Sequence, residues 1–186
     1  DIDKRKAVFK QGKPFQEKIA VTDIQFLSDQ IFLCTDKGLY QAVPTAGTYN
    51  LKKILDRPRV QSIIQTSPNN YIIASYNGIE SFSLQNNQVL HIQNLILPAL
   101  PLKERIFCAL YLHKNILWVG TKLHGIFQYN FTDKKWNNLT ETNSNLLSNN
   151  IRKIVPTKQG DLLIGTLKGL SIFNGAPHFL NYKHNT

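Results

Sequence analysis

The sequence predicts an all-β chain built from repeated four-stranded antiparallel units, and three observations carry that prediction. Short apolar runs of strand length alternate with polar turns throughout, and no convincing amphipathic helix interrupts them. One phrase recurs four times: "QIFLCTDKGLYQA" at 30–42, "NYIIASYNGIESF" at 70–82, "NILWVGTKLHGIFQY" at 115–129 and "DLLIGTLKGLSIF" at 161–173. The small or hydroxyl residue ending each first run is Thr35, Ser75, Thr121 or Thr166, at spacings of 40, 46 and 45 residues. Repeats of about 40–50 residues made of short strands mark a radial array of sheets, the β-propeller.

Each unit reads in the same order. An entering strand comes first ("VTDIQFL", "RVQSIIQT", "IFCALYL", "NIRKIVPT"), closed by a polar turn such as "SPNN" at 67–70. The second strand is apolar on both faces, as in Ile72-Ile73-Ala74 and Leu117-Trp118-Val119, which suits a strand packed between two neighbouring sheets. A short loop ending in Gly38, Gly78, Gly125 or Gly169 follows, and a positive φ is the expected reason for glycine. The third unit has one extra loop residue, "TKLHG" against "TLKG", so its turn should differ. A third strand and a polar fourth strand ("NLKKIL", "QVLHIQ", "KKWNNL", "HFLNY") complete the unit, the last alternating as an edge facing water.

The pattern divides the chain into blades over about 19–56, 57–101, 102–147 and 148–186. Residues 5–15, "RKAVFKQGKPF", resemble 169–179, so a half-blade is expected over 1–18. Four blades and a half do not close a ring. The expectation is therefore a single partial propeller domain, a piece of a larger one of about seven blades, and the start at Asp1 without Met agrees with a processed or excised chain.

With 186 residues, 42% hydrophobic and 18% charged, the composition is that of one globular domain. No apolar stretch reaches the roughly 18 residues of a spanning helix. Lys and Arg outnumber Asp and Glu by 22 to 12, giving +10, but the cations are scattered rather than clustered, which argues against nucleic acid as partner. Cys34 and Cys108 each sit inside an apolar run and read as buried small side chains; two cysteines define no disulfide framework.

The last two units carry a more specific signal. "LLSNNIRKIVPTKQGDLLIGTLKGLSIFNG" and "NILWVGTKLHGIFQYN", with Trp118, Gly120 and Thr121, resemble the two-component regulator propeller repeat. In the first two units Cys34-Thr35 and Ala74-Ser75 stand where Gly-Thr would be, and the Trp is missing. Neither the Gly-His nor the Trp-Asp signature of WD-type repeats is present. The resemblance implies the periplasmic sensor region of a Bacteroides-type hybrid two-component histidine kinase. It implies an oligosaccharide ligand, an inner-membrane parent chain whose kinase region lies outside these residues, neighbouring blades from that chain, and a homodimer.

No enzyme constellation emerges from the residues. His91, His113, His124, His178 and His184 lack metal-ligand spacing, and no nucleophile elbow or phosphate-cradling motif occurs. No catalytic residue, metal or cofactor is expected. A protein-interaction scaffold and a carbohydrate-active or lyase propeller enzyme remain open as other readings. Asn130-Phe131-Thr132 and Asn138-Leu139-Thr140 match the glycosylation sequon by chance.

Blade topology selects the candidate binding residues. Loops before the first strand and between the second and third strands emerge on one end of the array. They carry Asp36, Lys37, Arg59, Tyr76, Asn77, Arg105, Lys122, His124, Asn150 and Lys168, with Arg57, Glu104 and Asn149 beside them. Saccharides are held by aromatic faces and planar polar groups, which these residues supply. Trp118 lies in a buried-strand pattern and reads as core.

Overall fold

The computed structural model describes residues 18–86, 88–95, 107–176 and 178–183. Among these, sixteen strands form four separate four-stranded sheets and no helix occurs. Blade 1 comprises β1 (Val21–Leu27), β2 (Gln30–Thr35), β3 (Gly38–Thr45) and β4 (Thr48–Leu55). Blade 2 comprises β5 (Ser62–Ser67), β6 (Asn70–Ser75), β7 (Gly78–Gln85) and β8 (Gln88–Leu95). Blade 3 comprises β9 (Phe107–His113), β10 (Ile116–Thr121), β11 (Ile126–Asn130) and β12 (Lys135–Leu139). Blade 4 comprises β13 (Ile151–Pro156), β14 (Leu162–Thr166), β15 (Gly169–Phe173) and β16 (Leu180–Lys183). Within each blade the strands pair antiparallel in chain order. The half-blade expected over 1–18 lies, apart from Lys18, outside the described residues.

Period-two alternation explains how one sheet serves two interfaces. In β6, Tyr71 and Ile73 pack toward blade 1, while Ile72 and Ala74 pack toward blade 3. Three apolar clusters result. Phe32, Cys34, Leu39, Val60, Ile63, Tyr71 and Phe82 fill the space between blades 1 and 2. Ile72, Ile79, Phe107, Leu110, Leu117 and Phe127 fill that between blades 2 and 3. Trp118, Ile126, Ile151, Ile154, Leu162 and Phe179 fill that between blades 3 and 4. Each fully buried aliphatic side chain contributes about 1.5–3 kcal/mol by leaving water. These interfaces are therefore the principal source of stability.

The innermost strands β1, β5, β9 and β13 stand side by side in that order. They line a cavity of about 350 Å³ whose walls include Gln25, Gln65, Tyr111 and Lys153. Across it, Lys153 Nζ lies 3.8 Å from Asp23 Oδ1, linking blade 4 to blade 1.

The repeated hydroxyl has a structural task. Thr35 Oγ1 donates to the Gly38 carbonyl at 2.7 Å and accepts from the Lys37 N–H at 3.1 Å. Thr121 does the same with Gly125 and His124 (2.8 and 2.9 Å), and Thr166 with Gly169 and Lys168 (2.9 and 3.2 Å). Ser75 Oγ accepts from Asn77 N–H at 3.2 Å. A short hydroxyl side chain thus satisfies the backbone groups that the turn from second to third strand leaves over. The glycine completing the turn has φ of 140°, 130° and 132° at Gly38, Gly78 and Gly169, but 70° at Gly125, where the extra residue reshapes the loop. The fourth strands depart from simple alternation: the register slips between Leu39 and Tyr40 in blade 1, and between Ser81 and Ser83 in blade 2. A bulge shifts every later side chain to the opposite face.

Candidate functional site

The second-to-third-strand turns and the connectors between blades meet at one end of the array, and backbone hydrogen bonds lock them together. Asp36 N–H donates to the Ala20 carbonyl at 3.0 Å, while its Oδ1 accepts from Ala20 N–H at 2.9 Å. The connector at 56–61 then bridges two blades. Arg59 N–H donates to the Asp36 carbonyl at 3.1 Å, and Tyr76 N–H donates to the Pro58 carbonyl at 3.1 Å. A second connector does the same for blades 3 and 4: Gly125 N–H donates to the Asn149 carbonyl and Leu167 N–H to the Asn150 carbonyl, both at 2.9 Å.

The predicted residues therefore fall into two clusters. Asp36, Lys37, Arg59, Tyr76 and Asn77 surround the first connector; Lys122, His124, Asn150 and Lys168 surround the second. Lys37, Arg59, Asn77, Lys122 and Lys168 are exposed, and Asp36, Tyr76, His124 and Asn150 are half-buried. Arg59 holds φ of 50°, a left-handed conformation uncommon for a non-glycine residue. Asn150 Oδ1 is buried with no hydrogen-bonding partner among the described residues. Arg105 and Glu104 lie outside the described residues.

Two of these cations are engaged by carboxylates that the sequence did not single out. Arg57 Nε bonds both oxygens of Glu80, at 3.0 and 2.8 Å, and Glu80 is 4% exposed. Arg57 therefore compensates a buried charge and is taken up structurally. Lys168 Nζ lies 2.6 Å from Glu141 Oε2. Glu141 Oε1 in turn accepts from Asn149 N–H, and Asn149 Oδ1 accepts from Glu141 N–H, each at 2.9 Å. The Lys168 ammonium first, and then the Asn149 N–H, hold the Glu141 carboxyl below the usual carboxylate range. Glu141 and Glu80 lie 27 and 23 residues from their partners. Only the blade register brings them together, so no local motif announces them.

Cys34 is fully buried, and desolvation first, with the Asp23 charge second, pushes its thiol well above the ordinary range. Such a thiol is neutral and inert. Trp118 is 1% exposed and packs on Phe173 at 4.8 Å, as the buried-strand pattern predicts. His91 lies in β8, whereas His178 precedes β16 rather than sitting within it. Among the described residues no group of three or more His, Cys, Asp or Glu side chains is placed to hold a metal.

Solved structures share this architecture. The extracellular domain of a protein described as the B. thetaiotaomicron hybrid two-component system BT4673 superposes with a TM-score of 0.75 at 18% identity, over 96% of this chain and 23% of that one. The corresponding domain of BT3049 from the same organism gives 0.66 at 22% identity, over 92% and 23%. The WD40 β-propeller domain of Doa1 gives 0.60 at 13% identity, over 84% and 51%. The chain thus defines a β-propeller protein, and it spans less than a quarter of the length of the two B. thetaiotaomicron domains. No family profile and no characterised relative matches it by sequence.

Proposed function

We propose that this chain is the ligand-sensing part of an extracytoplasmic sensor propeller belonging to a hybrid two-component system. In this reading it recognises glycan-derived oligosaccharides and has no catalytic turnover of its own. The parent polypeptide supplies further blades, a membrane anchor, a kinase region and a dimer interface. The carrying observation is a coincidence of two kinds of likeness. The folds of two hybrid-system extracellular domains cover more than nine-tenths of the chain. Independently, the Trp118-Val119-Gly120-Thr121 stretch of the regulator repeat occupies the second strand and hydroxyl-closed turn that the architecture requires. Fold alone hosts many functions, as the WD40 neighbour illustrates, so the repeat signature supplies the specificity.

The turn end suits signalling because the connectors at 56–61 and 149–150 each bond to turns of two successive blades. A ligand held at either cluster, by Tyr76 and Asn77 or by Lys122 and Lys168, would therefore act directly on blade-to-blade packing. A calorimetric screen of glycan fragments against the full extracytoplasmic region, at two salt concentrations, tests the reading. Saturable binding of a saccharide without product release is expected. Release of products from polysaccharides would replace the reading with an enzyme. Binding of nucleic acid that collapses steeply with salt would replace it with a phosphate-binding scaffold.

A further inference from the structure

We infer a seat for an uncharged saccharide in the cleft between blades 2 and 3, at the end of the array opposite the connector loops. The inference rests on the saccharide-sensing reading and moves the site away from the turns that sequence topology favours. The cleft encloses about 500 Å³, within the range of small-ligand pockets, and reaches from the β5–β6 turn to the β9–β10 and β11–β12 turns.

Its origin is a local loss of side-chain volume. Register places Gln41 of blade 1 and Gln128 of blade 3 at the position that Ser81 holds in blade 2. Asn130 of blade 3 likewise corresponds to Ser83. Two serines thus stand where longer side chains stand elsewhere, and the space they vacate is open to solvent. The bulge between Ser81 and Ser83 shapes the same wall. It puts His91 at φ of 53°, a strained conformation for a non-glycine residue in a strand.

The two walls are chemically unlike. Blade 2 contributes the hydroxyls of Ser81 and Ser83, the Gln93 amide and the His91 imidazole, and Asn115 of blade 3 adds an amide at the rim. The serine hydroxyls are oriented by bonds to the carbonyls of Gln93 (3.4 Å) and Leu90 (3.0 Å), leaving their lone pairs as acceptors. Blade 3 contributes Phe131, the outermost ring of an aromatic ladder. Phe131 packs edge-on to Tyr129 at 5.0 Å, and Tyr129 lies 4.8 Å from Trp136. A sugar ring has an apolar C–H face and a polar hydroxyl edge, and these walls offer a partner for each. Among the described residues no Asp, Glu, Lys or Arg lines the cleft, so no carboxylate, ammonium or guanidinium there compensates a ligand charge. An uncharged mono- or disaccharide fits; a uronate or sulfated sugar does not.

The test titrates the chain with maltose, cellobiose, lactose and digalacturonate, reading backbone amide shifts and tryptophan fluorescence at low and high salt. At least one neutral disaccharide should bind without salt dependence, with the largest shifts at Ser81, Ser83, Asn115 and Phe131. Ser83→Leu, which refills the cleft, and Phe131→Ala should each weaken binding about tenfold or more, a change of about 1.4 kcal/mol. Lys158→Ala, on an exposed turn of blade 4 outside the cleft, should leave it unchanged, and near-ultraviolet circular dichroism verifies that the variants fold. Shifts confined to the turns at Lys37 and Lys122, insensitive to Ser83→Leu, would overturn the cleft while leaving the sensor reading standing. Failure of all three neutral disaccharides to bind would also overturn the cleft; the sensor reading is judged separately by the screen on the full region.

Discussion

The interior blade interfaces and the two outer faces of the array are written in the same residue types but end in opposite environments. Ile24 in β1 holds the register position that Ile63, Leu110 and Ile154 hold in the next three blades. The latter three are 1%, 6% and 4% exposed, whereas Ile24 is 58% exposed. At the other end, Leu163 occupies the position of Phe32, Ile72 and Trp118; those three are buried and Leu163 is only half-buried. Tyr182 is exposed where its counterpart Leu55 is buried. Stacked repeats normally finish in a polar capping unit, and exposed sheets normally carry charge. Neither outer face here does so at these positions. Burial in this fold is conferred by the neighbouring blade, and the repeat keeps its apolar pattern at strands against which no described blade packs.

Substitutions at matched positions sharpen this contrast, beginning with the largest. Trp118→Ala removes the largest fully buried side chain from the interface of blades 3 and 4, and about 3–5 kcal/mol should be lost in urea unfolding. Ile24→Ala should cost no more than about 0.5 kcal/mol by the same measurement. Equal losses would mean that the outer face is as well packed as the inner one.

The next pair uses glycines. A Cβ on Gly120 would sit 2.7 Å from Ile151 Cγ2, so Gly120→Ala should overpack the interface by about 1–3 kcal/mol. Gly165 holds the same register position on the outer face, where a Cβ would meet nothing closer than 3.9 Å. Gly165→Ala should be neutral or slightly stabilising, because alanine lowers the entropy of the unfolded chain. Thermal midpoints of both variants check the pair.

Ion pairs give the third comparison. Arg57→Met leaves the Glu80 carboxylate buried without its partner, and about 1–3 kcal/mol should be lost at neutral pH. Lys168→Ala removes a pair on the exposed turn end and should cost under about 1 kcal/mol.

The smallest effect is one of pH. The Glu141 carboxyl is held low in the folded chain, so its stabilising contribution is present above the unfolded value of about 4.3 and fades as pH falls through the lower folded value. Unfolding midpoints followed downward from about pH 5 should show a shallower acid decline in Lys168→Ala than in the parent. An unchanged slope would remove Lys168 as the cause.

Much of the fold was legible because its determinants are local. A strand apolar on both faces, a hydroxyl and a glycine three or four residues on specify a blade's central hairpin without reference to the rest of the chain. The candidate turn residues were legible as positions, since blade topology sends every second-to-third-strand turn to one end. Their partners were not. Arg57 reads as a binding cation until register shows Glu80 beside it. The reciprocal bonds of Glu141 and Asn149 require knowing how the second connector folds back. Ser81 and Ser83 look like ordinary strand residues until the glutamines and asparagine at equivalent positions are aligned through pairing rather than sequence. The role of Thr35, Thr121 and Thr166 lay between: the recurrence was visible, but the bond each hydroxyl makes to the glycine carbonyl was not.

The central claim is that equivalent strands differ in stability because the outer faces lack what the inner faces possess. Hydrogen–deuterium exchange with peptide resolution tests it most directly by comparing strands that hold the same place in different blades. Amides of β9 and β10 should exchange far more slowly than those of β1 and β14 under native conditions, since among the described residues an interior blade shares two apolar interfaces and an outer blade one. Equal protection of all four strands, rising and falling as one cooperative unit, would contradict the account.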